Sequence, residues 1–189
     1  MTFDPTLLPA DLPRPTDDGA ADHLLGSSVP AVPLPATDGK LIDLQSASAG
    51  CRLVVFAYPR TGRPGEDSLV ADWDDIPGAR GCTPEASGFR DLHEQMQAAG
   101  ADVVGLSTQD TAYQQEVVQR LGLAYELLSD ELLVLARAMA LPTMHAAGQD
   151  LLRRLTMVVR DGVVEHVWYP VFPPDTHAAE VLAWLGQPA

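Results

Sequence analysis

The run Arg-Leu-Val-Val-Phe-Ala-Tyr at 52–58 constrains this chain more than any other feature. After its first residue it is apolar throughout, and it shows no alternation of polar and apolar positions. Such a run suits a strand buried on both faces. A strand of that kind needs cover above and below, which points to layers packed around a central sheet. Residues 102–107, Asp-Val-Val-Gly-Leu-Ser, read the same way.

The remaining segments supply the covering layers. Residues 29–44 hold Asp38-Gly39 between two short apolar arms, a hairpin signature, and the prolines of the first arm suit a sheet edge. Thr83-Pro84-Glu85 predicts a helix start with Thr83 as N-cap; Phe89, Leu92 and Met96 keep helical spacing, and Gly100 stops the helix. Residues 110–121 predict a second helix, capped by Asp110 or Thr111 and ended by Gly122. A short strand at 124–128, a helix at 130–140 and a loop containing Pro142 and Gly148 follow. Residues 154–160 and 163–169 flank Asp161-Gly162 and predict a hairpin, and Asp175 opens a last helix through Leu185. The expected architecture is α/β: a central mixed sheet flanked by helices, with an N-terminal β-hairpin. One domain over 23–189 is expected, preceded by a tail at 1–22, rich in Pro and Asp, that is extended or partly ordered.

Charge narrows the partners. Twenty-six acidic residues against twelve basic ones leave a net charge of −14, which repels nucleic acid and anionic membranes. No apolar run reaches the roughly 18 residues of a membrane span, and the amino end lacks the marks of a secretory or transit peptide. A cytoplasmic setting is the expectation. The scattered histidines and two cysteines, Cys51 and Cys82, have no metal-ligand spacing, so neither metal nor cofactor is expected.

Cys82 is the chemical focus. It follows a buried strand and a loop of some twenty residues rich in Gly, Pro and Asp, and it stands at a helix mouth. The N–H groups and dipole there favour an anion, and the thiolate is cysteine's nucleophilic form. Arg80 adds positive charge nearby. An inert half-buried cysteine remains the plain alternative.

Around Cys82 the resemblance becomes specific. Gly-Cys-Thr-Pro-Glu-Ala-Ser-Gly-Phe-Arg-Asp-Leu at 81–92, after Phe56-Ala57-Tyr58-Pro59, resembles the peroxiredoxins of the Q or bacterioferritin-comigratory type. Further matches follow in order: Val104–Thr108, Leu127–Asp130, Arg154–Met157, and Asp161-Gly162 through Val164–Val167. Together they cover roughly residues 28–186. The resemblance implies a thioredoxin-like fold and a thiol peroxidase in which Cys82 attacks hydrogen peroxide or an organic hydroperoxide and becomes a sulfenic acid. It implies that Arg154 steadies the departing oxygen. Arg153 is the near alternative, and neighbouring strand residues face opposite ways, so one of the pair is expected to reach the site.

The chain departs from the family pattern in three places. Ala79 stands three residues before Cys82, where relatives carry a hydroxyl residue; Thr61, close after Pro59, is the expected replacement, with Thr83 a lesser one. Ser87 stands where many relatives have a resolving cysteine. Cys51, at the far end of the 52–58 strand, is too distant to serve within one subunit, so a one-cysteine cycle is expected, with an external thiol or thioredoxin-like protein as reductant; a Cys51–Cys82 bond between subunits stays open. The insertion at 60–76 is acidic and carries Trp73, either a packed lid or a solvated loop. Monomer and homodimer are equally compatible with the sequence. Two other readings stay open at this level: a dithiol oxidoreductase, which lacks its CxxC, and a non-catalytic binding module, for which Ala79 argues. A cysteine hydrolase is weaker, because no histidine is marked as its base.

Overall fold

The computed structural model describes residues 4–187. The chain runs β1 (Leu34–Pro35), β2 (Leu41–Ile42), α1 (Leu44–Ala47), β3 (Arg52–Ala57), α2 (Cys82–Ala98), β4 (Ala101–Ser107), α3 (Thr111–Leu121), β5 (Leu127–Ser129), α4 (Val134–Met139), β6 (Thr143–Ala146), β7 (Gln149–Leu152), β8 (Leu155–Arg160), β9 (Val163–Trp168) and α5 (His177–Leu185). A five-stranded sheet has the order β5-β4-β3-β8-β9. β3 lies at its centre, parallel to β4 and antiparallel to β8, with Val54 opposite both Val103 and Val158.

That central position explains the apolar run: β3 is buried from Leu53 to Ala57. Alternate residues feed two cores. Leu53, Val55 and Ala57 point to a layer made by the N-terminal hairpin, α1 and α4. Val54 and Phe56 point to α2, α3 and α5, where Phe56 stacks on Phe89 at 4.5 Å between ring centres. Gly105 of β4 sits where Phe56 and Leu127 close in, leaving no room for a side chain.

Several boundaries differ from the sequence expectation. The strand expected at 124–128 lies at Leu127–Ser129. The helix expected at 130–140 starts later, at Val134. Asp130 still caps it, from a distance: its carboxylate accepts the N–H groups of Val134, Leu135 and Ala136 at 2.7, 3.2 and 2.8 Å, while Leu133 takes a left-handed turn. The expected loop around Pro142 and Gly148 is a hairpin, β6–β7, turning on Ala147 and Gly148, both with positive φ. Ala-Gly is a poorer signature for such a turn than Asn-Gly, which is why it read as loop. The last helix is capped at Thr176, with Asp175 just outside it.

The cap of α2 matters most for the site. Its N-cap is Gly81, not Thr83, and the helix begins at Cys82 itself. Gly81 has φ +104 and lies against Pro174 and Leu8, so both backbone conformation and space demand glycine.

Candidate active site

The end of β3 and the start of α2 bring the reactive groups together. Cys82 is 2% exposed and occupies the first turn of α2. The first N–H groups of that helix, those of Cys82 and Thr83, have no carbonyl partner within the helix, and no side chain caps them. Pro84 follows with no N–H to offer.

Arg154 enters from the junction of β7 and β8. Its Nη2 donates to Cys82 Sγ at 3.1 Å and to the carbonyls of Arg80 and Gly78 at 3.1 and 3.3 Å. Its Nη1 donates to the Glu85 carboxylate, one turn along α2. One buried guanidinium thus grips the loop before Cys82, the sulfur and the helix.

The electrostatics are a contest. Burial is the largest influence on Cys82 and pushes its thiol up from the ordinary value. Arg154 pulls it back down, Glu85 works against Arg154, and the Arg60 backbone N–H adds a smaller downward pull. The low thiol pKa expected of a helix mouth is therefore offset by the closure of the site. Burial likewise pushes Glu85 up to about 7, opposed by Arg154. Two acidic groups compete for one cation.

A cavity of about 50 Å³ opens beside the sulfur, lined among others by Pro5, Arg60, Thr61, Trp73, Arg80 and Thr83. It has room for a few molecules of water's size.

Comparison with known proteins gives the family and the fold. The redoxin family profile matches residues 24–182. Peroxiredoxin Q, chloroplastic, of Suaeda salsa is 34% identical over 160 residues, covering 85% of this chain and 66% of that protein. A putative peroxiredoxin bcp of Coxiella burnetii is 30% identical and is covered over 97% of its length. The chain belongs to the peroxiredoxins. Among solved structures, peroxidoxin BcpB of Mycobacterium tuberculosis superposes with a TM-score of 0.67 at 28% identity, covering 85% of this chain and 95% of that one. The fold is accordingly thioredoxin-like. The chain spans just under two thirds of the length of the Suaeda salsa protein and of two rice relatives it matches.

In this peroxiredoxin Arg153 turns away from the sulfur, to Asp18 at 2.6 Å and the Tyr169 hydroxyl at 3.0 Å, leaving Arg154 to reach it. Thr61 does line the cavity, but its hydroxyl donates to Gln109 Oε1 at 3.0 Å. Thr83, freed from capping, is buried with an unpartnered hydroxyl. Ala79 is fully buried and packs with Trp73 on the β6–β7 hairpin, so the insertion is anchored rather than free. Cys51 donates to the Ala47 carbonyl at 3.6 Å and stands before β3, whose six residues span about 20 Å to the end where Cys82 sits.

Three participants were missed in the sequence. Glu85 counted only as a first-turn acid; nothing marked it as the partner of Arg154. Gln109 follows a strand like any loop residue. The third is the N-terminal arm, which packs across the reactive loop. Arg80 lines the cavity, yet its Nη2 donates to the carbonyls of Asp4 and Leu7, the latter at 3.0 Å, and its Nη1 pairs with Asp74 at 3.4 Å. Buried Pro5 walls the cavity, and Arg14 lies over the Phe172 ring at 5.2 Å. The proline-stiffened segment 169–174 supports the loop from the other side, with Pro174 against Gly81.

Proposed function

We propose that this chain is a thiol peroxidase that reduces hydrogen peroxide and organic hydroperoxides at Cys82, in a cycle that uses one cysteine. The Cys82 thiolate attacks one peroxide oxygen and an S–O bond forms as the O–O bond breaks. The sulfur is oxidised to sulfenic acid, and the other oxygen leaves as water or alcohol after taking up a proton. Arg154 supplies fixed positive charge to the sulfur and to the oxygen that leaves, inside a site where such charge acts more strongly than in water. A thiol from outside the chain then attacks the sulfenic acid sulfur, forming a mixed disulfide as the S–O bond breaks and water leaves; a second thiol equivalent attacks the reductant's sulfur in that mixed disulfide, releasing the Cys82 thiolate and leaving a disulfide on the reductant.

The carrying observation is the 3.1 Å approach of the Arg154 guanidinium to a buried Sγ at a helix start. The separation of Cys51 from Cys82 along β3 supports the single-cysteine cycle, since a disulfide needs Cα atoms within about 7 Å.

Intact mass after one equivalent of hydrogen peroxide tests this on wild type, Cys82→Ser and Cys51→Ser. Wild type and Cys51→Ser should both stop at sulfenic acid, trapped by dimedone, and Cys82→Ser should take up no oxygen. A wild-type disulfide that Cys51→Ser abolishes would overturn the one-cysteine cycle. Absence of oxidation in wild type would overturn the peroxidase reading.

A further inference from the structure

We propose that the Thr83 hydroxyl is the hydrogen-bond partner of the bound peroxide, taking the role that Ala79 leaves empty; this rests on the peroxidase reading above. A peroxide beside Cys82 must be held with one oxygen in line with the sulfur and the other free to leave. Arg154 offers charge and N–H donors. It offers no acceptor for the peroxide's own O–H, and a hydroxyl is the group that both donates and accepts.

Among the described residues four hydroxyl side chains line the cavity: Thr61, Ser68, Thr83 and Tyr113. Thr61 donates to Gln109 Oε1 at 3.0 Å, and Tyr113 donates to the Thr61 carbonyl at 3.0 Å. Ser68 lies on the insertion and is partly exposed. Thr83 differs from all three. It is 2% exposed, and its Oγ1 has no hydrogen-bond partner among the described residues.

A buried hydroxyl left unpaired is costly, and such groups are rare unless a ligand or water completes them. The helix boundary explains why this one is unpaired. With Gly81 as N-cap, Thr83 lies inside the first turn and is not used to cap it. Its position relative to the sulfur is set by one peptide unit of regular helix, so the pair is preorganised without help from the loop. Thr83 lines the cavity that opens beside Sγ, and Arg154 reaches the same sulfur at 3.1 Å.

The test compares Thr83→Val, Thr83→Ser and Thr61→Val in the full chain. Valine keeps the shape and deletes the hydroxyl; serine restores it. Two rates are read at Cys82: oxidation by hydrogen peroxide, and alkylation by iodoacetamide across pH, which reports the thiolate without needing a peroxide contact. Thr83→Val should slow peroxide oxidation by about 100-fold, the order for losing one oriented donor. Thr83→Ser should recover most of that rate, and the alkylation profile should not move. Thr83→Val should also melt no lower than wild type, because an unpaired buried group has been removed. A Thr83→Val oxidation rate within twofold of wild type would overturn the assignment, as would a serine variant as slow as valine, or a loss confined to Thr61→Val. Those outcomes leave a fast wild type. A wild type that peroxide oxidises no faster than free cysteine points instead to failure of the peroxidase reading.

Discussion

Replacing Arg154 by glutamine removes the cation that, among the described residues, donates to the sulfur. At 3.1 Å and an effective dielectric near 20, a guanidinium–thiolate pair is worth about 5 kcal/mol. Glu85 shares the same guanidinium and cancels part of this. The net effect should be a rise in the Cys82 thiol pKa, because the opposite charge that holds it down is removed. Peroxide reactivity should fall further than the lost thiolate accounts for, by an additional factor of about 100–1,000, because the donor to the departing oxygen goes as well. Stability is a second readout. Glu85 is fully buried, and without its counterion the folded chain loses about 3–5 kcal/mol unless the carboxyl takes up a proton. The double variant Arg154→Gln/Glu85→Gln removes that penalty and keeps the thiol measurement on a folded protein. The assay is the pH dependence of iodoacetamide alkylation at Cys82 in a Cys51→Ser background, with stopped-flow oxidation by hydrogen peroxide alongside. A thiol pKa in Arg154→Gln equal to or below that of wild type would refute the reasoning.

Glu85→Gln alone should lower the Cys82 thiol pKa, because Arg154 then answers to the sulfur alone. Glu85 also carries a pH signature: its pKa rises from 4.5 unfolded to about 7 folded, so the folded chain holds an extra proton between those values and loses stability as pH rises through them. The melting temperature of Glu85→Gln should therefore gain on wild type from pH 4.5 to 7, and a constant difference would argue against it. Loosening the arm with Pro5→Gly/Leu8→Gly should raise the rate with cumene hydroperoxide severalfold relative to hydrogen peroxide; an unchanged ratio would show that the arm does not limit access. Gly105→Ala would set a Cβ 2.5 Å from Leu127 Cδ2 and 2.8 Å from Phe56 Cζ, and should cost about 1–3 kcal/mol in urea denaturation.

The layered architecture was legible because its signals are local. The apolar run of β3, the helical spacing of Phe89 and Met96, and the Asp161-Gly162 turn each report on neighbours in sequence. Cys82 was legible from its place at a helix mouth, but its pairing with Arg154 was legible only through ordered motifs, since 72 positions separate them and spacing alone does not join them. Thr83 was misread as a cap because Thr-Pro-Glu is a good start signal; the packing of Pro174 and Leu8 against Gly81 moved that start to Cys82. The Glu85–Arg154 pair and the docking of the arm depend on tertiary contacts that leave no periodic trace. The rise in the Cys82 thiol pKa belongs to the same class, because burial is a property of the closed site and not of the helix mouth.

The arm that walls the cavity lies outside the stretch matched by the redoxin profile, and its contacts with Arg80 begin at the fourth residue. A fusion joined ahead of Asp4 and Pro5 is therefore attached next to residues that wall the cavity over the sulfur. A purification tag at that terminus and one at the carboxyl terminus would make two different reagents, and kinetics from one should not be pooled with kinetics from the other.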